Sequence, residues 1–268
     1  MHDIPIILTA TIRPHSSPGI VNVMQLEHDR YCQYRRALTY VCRSQLFHHI
    51  IFADNSRSHL FHQIATYATS LSTSDVKVSA VSYPIERESL VSGKGYGEGW
   101  LLSEVLARQT EEQRPSSFFK ATGRYRIRNL RRVVDLTHRF LTERKDFDLI
   151  CQNFVSRGAG RYSASTAFFW CKTAVWQRFF SNIYAQVNDQ AGVFLEHVFA
   201  DAIRRIVLQD EARIATLTIP LLIESTDTKF NLPVTARGSL YQAIIRTHIA
   251  HLLGRRRELK VLTAADVA

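Results

Sequence analysis

The sequence predicts an α/β fold, a mostly parallel sheet with flanking helices, and three observations lead there. Short apolar runs rich in β-branched and aromatic residues, at 4–10, 46–53 and 117–121, have the composition of buried strands. Stretches with apolar residues at helical intervals separate them. Each run then stops at turn-forming or glycine-rich residues. Strands alternating with helices at this spacing form parallel sheets, and ligands bind outside the carboxyl ends of such strands.

Taken in order, Ile4 to Ala10 is a continuous apolar strand that opens into Thr11-Ile12-Arg13-Pro14. Asn22 to Val41 is helical, and Leu46 to Ala53 is a second buried strand ended by Asp54-Asn55-Ser56, three residues that favour turns and caps. A helix from Ser58 to Leu71 and a strand from Val76 to Val81 follow. Gly93-Lys94-Gly95-Tyr96-Gly97-Glu98-Gly99 is expected to be a loop, with a helix starting at Trp100. Ser117 to Ala121 is the fourth strand, and Asn129 is the expected cap of a helix that turns Leu130, Val133, Val134, Phe140 and Leu141 inward. The second half is less regular. It offers strands at 149–155, 166–170 and 214–223, with helices at 172–183 and 190–208. Ser239 and Gln242 have capping-box spacing before a helical stripe of Leu240, Tyr241, Ile244, Ile245, Ile249, Leu252 and Leu253. Gly254 ends it, and Arg255-Arg256-Arg257 with Lys260 make a basic cluster. The expected organisation is one main domain over 1–237, divided near 145, and an amphipathic basic helix and tail over 238–268.

A chain of 268 residues with 46% hydrophobic side chains can bury one sizeable core. Its first residues lack a basic n-region and its first apolar run is too short for a signal or a membrane span, so a cytoplasmic protein is expected. Cys32, Cys42, Cys151 and Cys171 form no C-x-x-C pair and read as reduced thiols. The histidines show no third ligand near His59 and His62, so no metal site is assigned. The net charge of +10 points to phosphates, nucleic acid or anionic lipid. A nucleic-acid-binding protein would need an aromatic-interleaved basic stripe, which is absent. No G-x-S-x-G elbow supports a hydrolase.

The strand-end loops should converge on one crevice, and two segments carry its chemistry. Gly93 to Gly99 brings backbone N–H groups, Lys94 and Glu98 to a helix start, although it is neither a Walker A sequence nor a G-x-G-x-x-G fingerprint. Lys120-Ala121-Thr122-Gly123-Arg124-Tyr125 runs from a buried strand through a glycine into Arg124, Arg126 and Arg128. Guanidinium groups grip phosphate bidentately, and a tyrosine stacks on a base or a sugar.

These two segments, with Pro5 to Ala10 and Phe52 to Ser56, resemble bacterial glycosyltransferases of lipopolysaccharide and capsule gene clusters, whose fold is similar to glycosyltransferase-A enzymes. The resemblance covers about the first half of the chain. It implies a Rossmann-like half that binds a nucleotide-sugar donor through Thr9, Ala10, Asp54, Asn55, Ser56, Lys94, Gly95, Tyr96, Gly97, Glu98, Lys120, Thr122, Gly123 and Tyr125. It implies a saccharide acceptor held by the second half, and a product that is O-antigen or capsule polysaccharide. Such acceptors are built on lipid carriers, so the basic tail is expected to hold the enzyme peripherally at the anionic inner membrane. Where the family keeps Asp-x-Asp for a divalent metal, this chain has Thr122-Gly123-Arg124, which leaves Lys94, Lys120 and Arg124 to neutralise the leaving phosphate. Inverting members take a general base from a helix start in the second half, which selects Glu196, with Asp189 and Glu98 as rivals. Arg124 and Glu196 are thus the expected catalytic pair. A nucleotidyltransferase on a similar sheet is the first alternative, and a basic nucleic-acid-binding protein, argued from charge alone, is the second.

Overall fold

The computed structural model describes residues 4–13, 26–86, 92–144, 146–156, 158, 161–224 and 258–267. Its first half runs β1 (Ile6–Ala10), α1 (Glu27–Ser44), β2 (His49–Asp54), α2 (Phe61–Ser70), β3 (Lys77–Ser82), α3 (Lys94–Ala107), β4 (Ser117–Thr122), β5 (Arg126–Ile127) and α4 (Leu130–Arg144). The second half adds β6 (Leu149–Ser156), β7 (Tyr162–Lys172), α5 (Thr173–Val175), α6 (Leu195–Leu208), β8 (Ile214–Leu217), β9 (Ile223–Glu224), β10 (Leu259–Val261) and α7 (Ala264–Val267).

Among the described residues, eight strands form one sheet in the order β10-β8-β6-β7-β4-β1-β2-β3, while β5 and β9 pair separately. β1 is parallel to both β2 and β4, β2 to β3, and β6 to β8. The long β7 enters antiparallel between β4 and β6. The predicted α/β class therefore holds, with antiparallel strands inserted in the second half. Strand order reverses beside β1, since β2 lies on one side of it and β4 on the other. That reversal opens a crevice at their carboxyl ends.

Period-two alternation decides which side chains face it. Ile6 and Leu8 of β1 and Phe119 and Ala121 of β4 pack into the core under α1, α2 and α4. Ile7 and Phe118 pack oppositely, into the core under α3 and α6. Thr9, Lys120 and Thr122 share this second face by register, so they rise toward α3. Each fully buried Ile, Leu or Phe stabilises the layers by about 1.5–3 kcal/mol.

Three expectations are corrected. The glycine-rich segment is not a loop: α3 starts at Lys94 and contains four of its residues' glycine and acidic neighbours, Gly95, Gly97, Glu98 and Gly99. Glycine disfavours helix by about 1 kcal/mol per residue, but packing overrides it here. A Cβ on Gly95 would lie 3.0 Å from the Leu195 Cβ, and one on Gly99 would lie 2.8 Å from the Tyr184 Cβ, so these glycines let α3 approach α6 and the turn at Ile183–Gln186. Secondly, Asn129 does not cap α4 with its side chain; its amide donates to the Pro220 carbonyl (2.9 Å) and accepts from the Leu222 N–H (2.9 Å). Thirdly, 172–183 is no regular helix, because α5 continues into a π-helical turn at Trp176–Phe180.

The predicted amphipathic helix lies outside the described residues, as do Arg255, Arg256 and Arg257. Residues 258–267 rejoin the sheet instead of forming a solvated tail: β10 pairs with β8, and Lys260 forms an ion pair with Asp266 at the start of α7 (2.5 Å). All four cysteines are free. No helix among the described residues is long and apolar enough to cross a membrane.

Candidate functional site

A pocket opens where the sheet order reverses. Thr9, Ala10 and Thr11 from the end of β1, Thr122, Arg124 and Tyr125 after β4, Lys94 and Glu98 from α3, and Glu196 from α6 line it, together with Arg30, Tyr34, Thr166 and Ala167. Lys94 and Glu98 are four apart on α3 and project to one side, as helical spacing requires.

Glu98 organises the floor. Its Oε1 accepts from Thr9 Oγ1 (3.2 Å), from Thr122 Oγ1 (2.9 Å) and from the Lys120 ammonium. Lys120 is 1% exposed; it also donates to the Thr166 carbonyl (2.5 Å) and to Thr122 Oγ1 (3.2 Å). Burial works against ionisation of Glu98, but the Lys120 charge and the three hydrogen bonds outweigh it and hold the carboxyl below its ordinary range. Lys120 thus sits beneath the lining and serves Glu98, which corrects its expected place beside a phosphate.

Asp54, Asn55 and Ser56 do not line the pocket; all three are buried behind it. Asp54 accepts from the Ile12 N–H (2.8 Å), the Ser56 N–H (3.0 Å) and Ser56 Oγ (2.8 Å), so its oxygens are engaged by the chain itself. Ser56 Oγ also accepts from the Arg13 N–H (3.0 Å). Asn55 accepts from Thr11 Oγ1 (2.7 Å) and donates to the Gly97 carbonyl (2.8 Å), tying the loop after β1 to α3. The three residues therefore shape the pocket wall and leave no oxygen for ribose or metal.

Burial pushes the Asp54 carboxyl up to about 7, against the hydrogen bonds from Ile12 and Ser56. The unfolded residue titrates near roughly 4. Between those values the folded protein holds a proton that the unfolded chain has released, so stability declines as pH rises toward 7 and then levels. The decline amounts to at most about 4 kcal/mol, from 1.36 kcal/mol per tenfold change. Urea unfolding between about pH 4.5 and 7.5 checks this, with Asp54→Asn expected to lose that component of the slope; parallel curves for the two proteins would refute it.

The other sequence-selected residues divide clearly. Thr9, Ala10, Lys94, Glu98, Thr122, Arg124, Tyr125 and Glu196 meet at the pocket. Gly95 and Tyr96 do not: Gly95 abuts Leu195, and the Tyr96 ring packs edge-on against Tyr184 (5.1 Å). Gly97 contributes its carbonyl to Asn55, and the Gly123 N–H donates to the Thr9 carbonyl (2.8 Å) so closely that a Cβ there would lie 2.9 Å from that oxygen. Arg126 and Arg128 turn away to Glu224 (3.2 and 3.8 Å). The rival Asp189 accepts from the Lys94 N–H (3.1 Å) and fills the space a side chain on Gly93 would take; Gly93 has φ of 108°, which favours glycine. Asp189 thus serves as a cap for α3.

Arg124 lies over the Tyr125 ring (5.0 Å to the centroid). Glu196 stands in the first turn of α6 and accepts from Thr166 Oγ1 (3.3 Å). Burial, then the Arg124 charge, lowers the Lys94 ammonium from its ordinary value, partly offset by Glu98, Asp189 and Glu196.

Five lining residues escaped the sequence reading: Thr11, Arg30, Tyr34, Thr166 and Ala167. Arg30 and Tyr34 come from α1, and both hold Thr11: Arg30 Nη1 donates to its carbonyl (2.7 Å), and its N–H donates to the Tyr34 hydroxyl (2.9 Å). The signal was available, since Arg30 falls in helical register with the buried Tyr34, Ala37, Leu38 and Val41.

A divalent ion of the kind the resemblance implies does not fit these residues. Glu98 is engaged by Lys120 and two hydroxyls, Asp54 is enclosed, and three cations line the cavity. Hard dications want several oxygen ligands, and among the described lining residues Glu196 is the carboxylate that no cation of the chain engages through a hydrogen bond.

No protein-family model matches the chain, and no curated protein does. Among solved structures it is similar to the galactosyltransferase LgtC in complex with donor and acceptor sugar analogs, at 9% identity and a TM-score of 0.46 over 75% of this chain and 70% of that one. It is also similar to a protein of Desulfovibrio desulfuricans G20 assigned to the nucleotide-diphospho-sugar transferases, at 8% identity and 0.45 over 81% and 80%. A third, assigned as a glucose-1-phosphate thymidylyltransferase of Bacillus anthracis, gives 12% identity and 0.44 over 91% and 95%. None of these likenesses assigns an activity to the chain.

Proposed function

We propose that the chain is a glycosyltransferase that moves a sugar from a nucleotide-sugar donor to a saccharide acceptor. The observation that carries this reading is a pocket at the reversal of strand order whose lining brings Lys94 from α3, Arg124 from the segment after β4 and the carboxylate Glu196 from α6 together. In the proposed reaction an acceptor hydroxyl attacks the anomeric carbon of the donor sugar. Its proton passes to Glu196, the bond from that carbon to the donor phosphate oxygen breaks, and the electron pair stays on the phosphate. Arg124 and Lys94 stabilise the charge that develops there. A single displacement of this kind inverts the anomeric centre. Titration with a panel of nucleotides tests the reading: one nucleoside diphosphate, or CMP, should bind at micromolar affinity, and absence of binding by every nucleotide would contradict it.

The acceptor in this proposal is a growing bacterial surface polysaccharide on a lipid carrier, met at the cytoplasmic face of the membrane. The basic residues 255–257, at about 1 kcal/mol each near anionic lipid, support that location. Liposome co-sedimentation tests it, since a variant lacking 255–257 should bind anionic vesicles more weakly than the full chain, and equal binding would end the idea.

A further inference from the structure

A second groove lies outside the crevice, along the exposed side of α4. It has a volume of about 590 Å³, within the range of ligand sites, and Arg128, Arg131, Arg132 and Arg139 line it with the carboxylates Asp135 and Glu258. Helical spacing produces the stripe. Leu130, Val133 and Val134 turn into the core, which leaves residues 131, 132, 135 and 139 exposed on the other side. At 1.5 Å per residue, Arg131 to Arg139 spans about 12 Å.

The arginines on this face share few acids. Glu258 is divided between Arg132 (3.6 Å) and Arg139, and Glu224 between Arg126 (3.2 Å) and Arg128 (3.8 Å). Arg131 donates to a neutral acceptor, the Ser44 carbonyl (2.9 Å). With Asp135 included, five guanidinium groups stand beside three carboxylates among the described residues. Exposed ion pairs hold their partners weakly, so these side chains can turn to a ligand, and guanidinium forks grip carboxylate, sulfate or phosphate bidentately.

The groove also leads out of the crevice. Arg124 and Tyr125 line the crevice, and Arg128 lines the groove. Four residues of chain span at most about 14 Å, so the two openings are neighbours. The path between them is fixed, because β5 pairs with β9 and the Tyr40 hydroxyl donates to the Arg128 carbonyl (3.2 Å).

We propose that the α4 groove binds an extended acidic saccharide, the part of an acceptor chain that trails away from the crevice. Calling the occupant an acceptor rests on the glycosyl-transfer reading; its negative charge and extended shape rest on the groove. No aromatic side chain is among the described lining residues, so neither a neutral sugar ring nor a base finds a stacking surface, and charge carries the recognition. A bilayer is flat and would meet the arginine tips while leaving the groove unfilled. A chain of sugars bearing carboxylates follows the stripe along α4.

The test is calorimetric titration of the full chain with oligogalacturonate and with a neutral oligoglucan of matched length. Two variants accompany it, the double variant Arg128→Gln with Arg131→Gln and the single variant Arg131→Glu, with circular dichroism to confirm folding. A glutamate in the first turn of α4 suits the helix dipole, so Arg131→Glu covers the case in which the double variant does not fold. Oligogalacturonate should bind at least about tenfold tighter than the neutral oligomer, and added salt should weaken it. Each variant should lose about tenfold or more of that affinity, while nucleotide affinity at the crevice stays unchanged. Equal binding of the two oligomers, or variants that bind oligogalacturonate like the wild type, would overturn the proposal. Anionic vesicles or a polynucleotide bound through Arg128 and Arg131, with oligogalacturonate refused, would overturn it in favour of a membrane or a nucleic acid. Titrating UDP, GDP, dTDP and CMP separates the groove from the donor reading. Oligogalacturonate bound through these arginines with every nucleotide refused leaves the groove standing and removes the donor reading. Nucleotides bound with oligogalacturonate refused overturn the groove and leave the donor reading.

Discussion

Replacing Glu196 with Gln should leave the protein folded and its donor affinity unchanged while turnover falls by about two to four orders of magnitude, the usual contribution of a general base. The side chain is exposed at the pocket, and the hydrogen bond from Thr166 Oγ1 can be accepted equally by the Gln carbonyl, so folding is not disturbed. Steady-state kinetics and nucleotide titration on the same preparation check the split. Near-normal turnover would remove the base role from Glu196. The role would not pass readily to Asp189, which caps α3, or to Glu98, which is held ionised by Lys120.

The largest expected loss of stability comes from Glu98→Ala. It strands the Lys120 ammonium, 1% exposed, without its counter-charge, and breaking a buried pair from one side costs about 3–5 kcal/mol. Lys120 keeps its bonds to the Thr166 carbonyl and Thr122, so the lower end, about 3 kcal/mol, is expected, equivalent to roughly 6–12 °C in Tm for a chain of this size. Lys120→Met should cost less, because the Glu98 side chain is 26% exposed and retains two hydroxyl donors. The double variant should cost less than the two single losses added together. Urea unfolding of the three proteins measures this, and a Glu98→Ala midpoint equal to the wild type would show that the pair is not coupled to the fold.

Much of the fold was legible because β1, β2 and β4 are apolar runs that need no partner to be recognised, and because α1 and α6 show their buried faces in their spacing. The parallel core and the crevice beside β1 follow from them. What was not legible depended on contacts between distant segments. Local composition argues against a helix at Lys94, and only the approach of Leu195 and Tyr184, about a hundred residues later, makes glycine the suitable residue at 95 and 99. Spacing of four between those glycines was the available sign. Lys120 and Arg124 looked alike as cations after a strand, yet period two sends Lys120 under α3 while Arg124 follows the turn at Gly123 to the pocket. The run Asp54-Asn55-Ser56 was correctly read as a strand-end turn, but its polar atoms are engaged by Ile12, Thr11, Arg13 and Gly97, which no local pattern announces. Arg30 was legible as a charge in register with the buried face of α1, but that this face reaches the pocket depends on packing between distant segments.

The most direct test of the central claim is incubation of the protein with a panel of nucleotide-sugar donors and saccharide acceptors, with products detected by mass. The account predicts one donor that yields an acceptor heavier by one sugar residue together with free nucleoside diphosphate, and loss of both products in Glu196→Gln. No transfer from any donor, with formation of a nucleotide-sugar and pyrophosphate from a nucleoside triphosphate and a sugar phosphate, would contradict it.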